Sequence, residues 1–224
     1  AEDGIRTVER SRGLGDVYKR QTNTLISTTA AMAITTVSAT SKNERNLFRI
    51  VRNYAIILSA MGKEFNPSNI KLIIGLGNPE RKYADTYHNA GYMFIDFLKS
   101  KPRAVGCRLQ VTDTPMNQSG ASVKKMLEQS GEAPEHLLIV HDDSDISLGS
   151  YKVSFGRGSA GHKGVQSVID RLGTNKFWRL RIGVRAQDEK RKADDFVTTK
   201  VKSSHRRTLD NVFREITGRI QSGD

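Results

Sequence analysis

With 224 residues the chain can bury one sizeable core and carry an extension, but it is too short for two ordinary domains. A single cysteine, Cys107, excludes an intramolecular disulfide and a cysteine-rich metal site. No apolar run approaches the roughly 20 residues that cross a bilayer, so a soluble chain with no membrane partner is expected. The formal net charge of +12 favours a polyanionic partner such as nucleic acid or an anionic membrane surface, the plainer alternative being a basic soluble protein or a basic tail on a neutral domain.

Composition divides the chain near Asn66-Pro67-Ser68. Residues 1–21 lack apolar periodicity and read as linker or non-native sequence. Residues 22–42 are rich in Ser, Thr and Ala, with no acidic residue before Glu44, and Arg45, Arg49 and Arg52 follow, a composition resembling an organelle transit segment. That segment does not begin the chain, and Met61 offers a natural start, so a cytoplasmic and a mitochondrial destination both fit. The expected organisation is a disordered extension over residues 1–69 and a folded domain over residues 70–224.

From Lys71 the pattern becomes regular. Lys71–Gly75 (KLIIG) is a short apolar run ending in glycine, which suits a buried strand. Ala90–Ser100 spaces Tyr92, Ile95 and Leu98 on one helical face. Ala121–Gln129 predicts a second helix, Leu137–Val140 a second buried strand, and Tyr151–Phe155 an alternating edge strand. Gly164–Leu172 reads as helix, Trp178–Val184 alternates as a strand, and Ser203–Ile220 fits an amphipathic helix with a basic face. Strands alternating with helices predict an α/β fold on a mostly parallel or mixed sheet.

Five clusters carry candidate chemistry. Gly75-Leu-Gly77-Asn78-Pro79-Glu80 follows a strand, but a dinucleotide fingerprint needs a third glycine where Glu80 stands. Tyr83 to Gly91 (YADTYHNAG) sets His88 between a loop and a helix, a place suited to acid-base work at neutral pH. Met116 and Asn117 precede the second helix, where Asn117 could equally serve as a cap. His141-Asp142-Asp143-Ser144-Asp145 follows a strand; its carboxylates could bind a hard cation, orient a histidine ring or form a solvated turn. Gly156 to Gly164 (GRGSAGHKG) opens a helix and offers backbone N–H groups to phosphate, with Lys152, Arg157 and Lys163 around it.

In this order the strings GLGNPERKYADTYHNAG, PMNQSG, HDDSDISLG, GSAGHKGVQSVIDRLG and FWRLRIGV closely resemble the bacterial-type peptidyl-tRNA hydrolase family. The resemblance implies a single α/β domain with a twisted mixed sheet between helices. It also implies an esterase that cuts the bond between a peptide and the terminal ribose of tRNA, working as a monomer and without cofactor or metal. It assigns His88 as the base that activates water and Asp142 as the carboxylate that holds it. Asn78 would check that the amino group is acylated, Met116 and Asn117 would sit beside the histidine, and Tyr83 would line the substrate cleft. Either asparagine could then donate to the developing oxyanion.

Three departures from the family pattern stand out. Lys163 replaces an asparagine after the glycine-loop histidine and could instead bind a phosphate near the acceptor end. Tyr87 replaces an arginine before His88. The interval from Asn89 to Met116 is short, as though a hairpin strand were lost. The competing reading is a noncatalytic RNA-binding protein on the same fold, like plant organelle splicing factors. Lys163 and the short interval favour that reading, whereas retention of His88, Asp142, Asn78 and Asn117 favours the enzyme.

Overall fold

The computed structural model describes residues 64–101 and 106–222. The transit-like stretch and Met61 lie outside the described residues. Among the described residues a single sheet holds five strands: β1 (Leu72–Gly75), β2 (Arg108–Val111), β3 (Leu137–Ser147), β4 (Tyr151–Phe155) and β5 (Trp178–Arg185). The helices are α1 (Ala90–Lys99), α2 (Ser119–Ser130), α3 (Lys163–Leu172), the short α4 (Ala193–Phe196) and α5 (Ser203–Ser222). The strand order is β2-β1-β3-β5-β4, parallel throughout except for β4, which pairs antiparallel with β5 at the edge. This is the expected α/β fold with a mixed, mostly parallel sheet between helices.

The apolar runs of β1 and β3 follow from coverage on both faces. Leu72, Ile74, Leu137 and Ile139 point to one side and pack with Val123, Val165, Val168 and Phe177, under α2 and α3. Ile73, Leu138 and Val140 point to the other, where Phe94, Leu98, Leu209 and Phe213 of α1 and α5 meet Leu180 and Ile182. Each such side chain taken out of water is worth about 1.5–3 kcal/mol. Ahead of β1, Phe65 packs edge-on against Trp178 and Pro67 is buried.

Several elements differ from expectation. β2 was not foreseen, because its Arg108-Leu-Gln-Val111 sequence is half polar and its residues are only partly covered. β3 does not stop at Val140 but runs to Ser147, carrying the acidic run His141–Asp145 within it, so the solvated-turn alternative does not hold, with a register shift against β5 between Asp143 and Ser147. Among the described residues, the interval from Asn89 to Met116 holds α1 and one parallel strand, β2.

The connectivity creates the crevice that matters. From β1 the chain crosses by α1 to β2 on one side, then returns by α2 to β3 on the other side of β1. The strand order therefore reverses between β1 and β3, and open α/β sheets bind ligands beyond the carboxyl ends of strands at such a point. Two glycines bring α1 down onto that end. A Cβ on Gly91 would lie 2.5 Å from the carbonyl oxygens of Leu76 and Val140, and one on Gly75 would lie 2.5 Å from the Gly91 carbonyl.

Candidate functional site

His88 sits in the short turn Tyr87–Asn89 that leads into α1, and Asp142 sits on β3 just past its apolar stretch. The turn is tied down by its backbone: His88 N–H donates to the Val197 carbonyl at 2.7 Å and Tyr87 N–H donates to Thr199 at 3.3 Å. His88 Nδ1 then lies 2.9 Å from Asp142 Oδ1. An ionised carboxylate can only accept, so the ring carries its proton on Nδ1 and leaves Nε2 as a lone-pair site.

A second histidine shares the same oxygen. His162, at the start of α3, places Nε2 3.0 Å from Asp142 Oδ1 while its Nδ1 accepts the Val165 N–H at 3.2 Å. Both His162 nitrogens are therefore committed, one as donor and one as helix cap. His88 is the histidine of this pair with a nitrogen left over, and its side chain is 15% exposed against 3% for Asp142. Below them the buried His141 turns its ring edge to His162 at 4.6 Å, and burial keeps it neutral by lowering its pKa well below the usual value.

The electrostatics follow from this geometry. Burial alone would lower the His88 pKa, but the Asp142 carboxylate, by charge and by hydrogen bond, outweighs it and raises the pKa above 6.5. Burial alone would raise Asp142, yet the two imidazoles hold it well below the usual carboxylate range. The donor atoms of His88, Asp142 and His162 lie within 4.8 Å of one another, close enough that they could also gather around a metal ion. The hydrogen bonds among them already account for that proximity.

These residues line a cleft of about 230 Å³ together with Asp143, Asp145, Lys163 and Asp194. Asp143 is neutralised by Arg181 Nε at 2.6 Å. A larger cleft of about 660 Å³ lies between β4 and α5, but its walls (Tyr151, Leu180, Ile216) offer no histidine–carboxylate pair.

Of the remaining predicted residues only Lys163 lines this cleft; Asn78, Met116, Asn117 and Tyr83 do not. Asn78 is held on both sides: its backbone exchanges two hydrogen bonds with the Asn89 side chain at 2.8 and 3.0 Å, and its Oδ1 accepts the Met116 N–H at 2.8 Å. Because a backbone N–H points at Oδ1, the amide Nδ2 is left as an available donor. Met116 is buried. This Asn78–Met116 link forms despite the short interval between α1 and α2. Asn117 is exposed on the turn before α2 and lines an adjoining shallow cleft with Lys163 and Gln166, not the His88 cleft. Tyr83 is half-buried in a turn with Lys82 Nζ 4.9 Å over its ring, and it too stands outside the His88 cleft.

Tyr87, in place of the expected arginine, is a core residue: its hydroxyl meets His205 Nδ1 at 2.6 Å and its ring packs edge-on against Phe196. Sequence reasoning left out His162 as a site residue, although its place ahead of a helix after a glycine loop was a usable signal. It also missed Asp194, whose exposed run Ala193-Asp194-Asp195 carries no such signal.

Comparison with known proteins decides the family. The sequence profile described as "Peptidyl-tRNA hydrolase" matches residues 72–222. The chain belongs to the peptidyl-tRNA hydrolase family. A peptidyl-tRNA hydrolase from Thermodesulfovibrio yellowstonii is 43% identical over 132 residues, spanning 50% of this chain and 71% of that one. One from Persephonella marina is 34% identical over 161 residues, spanning 64% and 85%. The crystal structure of peptidyl-tRNA hydrolase from Acinetobacter baumannii superposes with a TM-score of 0.59 at 31% identity, covering 72% of this chain and 91% of that one.

Proposed function

We propose that this chain hydrolyses the ester bond between a peptide and the terminal ribose of tRNA, with His88 as general base. The observation that carries this reading is the division of labour around Asp142. One oxygen receives two imidazole N–H groups, His162 is fully committed, and His88 keeps Nε2 for the proton of an attacking water. A ribose ester is activated enough for a positioned base and water to cleave it. As the proton moves, His88 becomes an imidazolium, which the Asp142 charge stabilises.

The Asn78 Nδ2 is assigned as the donor to the oxyanion or the acylated nitrogen, a role supported by Oδ1 being taken by the Met116 N–H. Asn117, being exposed, suits the substrate chain beyond the ester. Lys163 suits a phosphate near the acceptor end, and Tyr83 suits contact with the substrate outside the cleft. The +12 charge supplies non-specific attraction for the tRNA backbone. The chain is proposed to act as a monomer, as the family resemblance implies. Among the described residues no helix is long and apolar enough to cross a membrane; a cytoplasmic or mitochondrial site of action remains part of the proposal.

Release of N-acetyl-amino acid from N-acetyl-aminoacyl-tRNA by the purified chain tests this reading. Turnover, with unacylated aminoacyl-tRNA spared, supports it. Tight tRNA binding with no release would instead favour the noncatalytic RNA-binding reading.

A further inference from the structure

Lys163 and Asp194 meet across the mouth of the His88 cleft. Lys163 opens α3, directly behind the glycine-rich loop, and Asp194 lies on α4; their Nζ and Oδ2 atoms are 2.9 Å apart. Both line the cleft that holds His88 and Asp142. The two halves of the contact differ in freedom. Asp194 is anchored through its own helix: Phe196 and Val197 are buried, and the carbonyls of Val197 and Thr199 accept from the backbone of His88 and Tyr87. Lys163 reaches over on a flexible four-carbon stem. Both side chains are mostly exposed, so the pair is weak enough for another anion to compete for the lysine.

We infer that Asp194 is a positioning residue that occupies Lys163 in the free protein, holding it across the cleft mouth until an RNA phosphate next to the scissile ester takes its place. The inference rests on reading this cleft as the ester-cleaving site. It follows from charge and reach: an ammonium at the rim, already turned toward the cleft by a fixed carboxylate, needs only a short swing to reach an incoming phosphodiester. The carboxylate must be given up in the exchange, so its presence weakens substrate binding while keeping the cation close to the chemistry. The Asp194 charge raises the His88 pKa and the Lys163 charge lowers it, so the exchange is read in KM and Kd at a pH where His88 stays neutral.

The test compares the full chain with Asp194→Asn, Asp194→Glu and Lys163→Gln. KM and kcat are measured for N-acetyl-aminoacyl-tRNA and Kd for deacylated tRNA, all at one salt concentration. Asp194→Asn frees the lysine and should lower KM and Kd about two- to fivefold with kcat within a factor of two. Asp194→Glu keeps a partner and should stay near the parent values. Lys163→Gln should raise KM and Kd by a similar factor. An unchanged or raised KM in Asp194→Asn, a change confined to kcat, or an indifferent Lys163→Gln would each overturn the inference. If the parent chain releases no amino acid, the esterase reading fails, while the Kd series still decides whether Asp194 competes for Lys163.

Discussion

Replacing Asp142 by asparagine preserves the size of the group between the two imidazoles and removes its charge. In the parent chain Asp142 Oδ1 accepts from His88 at 2.9 Å and from His162 at 3.0 Å, with the carboxylate almost wholly buried. The His162 contact does not change during the proposed reaction, whereas His88 becomes positively charged. An imidazolium roughly 4 Å from a unit negative charge is stabilised by about 4 kcal/mol at an effective dielectric near 20, and an amide oxygen recovers part of that as a dipole. The expected loss is about 2–4 kcal/mol in the transition state, roughly 30- to 1,000-fold in kcat/KM. The pH profile gives a sharper readout. Asp142 raises His88 above 6.5, so the parent's acid limb should lie above pH 6.5; without the charge, burial dominates and the limb should move below it. A folded Asp142→Asn chain, checked by urea unfolding and tRNA binding, whose limb stays in place would refute the assignment of Asp142 as the group that sets His88.

Stability should show the same coupling with opposite signs. Asp142 is held below its usual value, so its charged form stabilises the fold above about pH 4, and that contribution drains away as pH falls further. His88 is raised, so its protonated form stabilises below about pH 6.5 and is lost as pH climbs through the folded value. Asp142→Asn should remove the acid-side loss that Asp142 causes and invert the His88 limb, since burial then lowers the His88 pKa and the urea midpoint rises with pH through that window; a curve parallel to the parent's would argue against the linkage. Gly91→Ala forces a methyl group onto two carbonyl oxygens and should destabilise by about 1–3 kcal/mol in urea melts; a neutral result would mean that α1 can move off the sheet. Affinity for tRNA should fall steeply between 50 and 200 mM salt, by about tenfold or more for several phosphate contacts, whereas a flat response in a filter-binding titration would remove the phosphate-contact argument.

The layered fold was legible because β1 and the first four residues of β3 are apolar on both faces, β5 alternates Trp178, Leu180, Ile182 and Val184 with mostly polar residues, and α1 and α3 carry clear periodic stripes. β2 escaped notice because an edge strand with Arg108 and Gln110 need not be apolar. β3 was cut short because Asp142 and Asp143 are charges in the middle of a strand. They are tolerated there only because His88, His162 and Arg181 pair with them, and pairing across the fold leaves no local pattern. The same reason hid the link between His88 and His162, which are 74 positions apart in sequence and meet through one carboxylate oxygen. Asn78 stands out by its place in a motif, but its hold on Asn89 and Met116 spans 11 and 38 positions of the chain and leaves no local pattern. Tyr83, Met116 and Asn117 come from the same resemblance, and like Asn78 they lie outside the lining of the His88 cleft.

The central claim is that His88, and not His162, takes the proton from water. Turnover of N-acetyl-aminoacyl-tRNA by His88→Ala, beside the parent chain and with tRNA affinity measured on the same samples, tests it most directly. The account predicts that turnover falls by about 10²- to 10⁴-fold while tRNA Kd stays within a factor of two. Turnover that survives the substitution unchanged would contradict it.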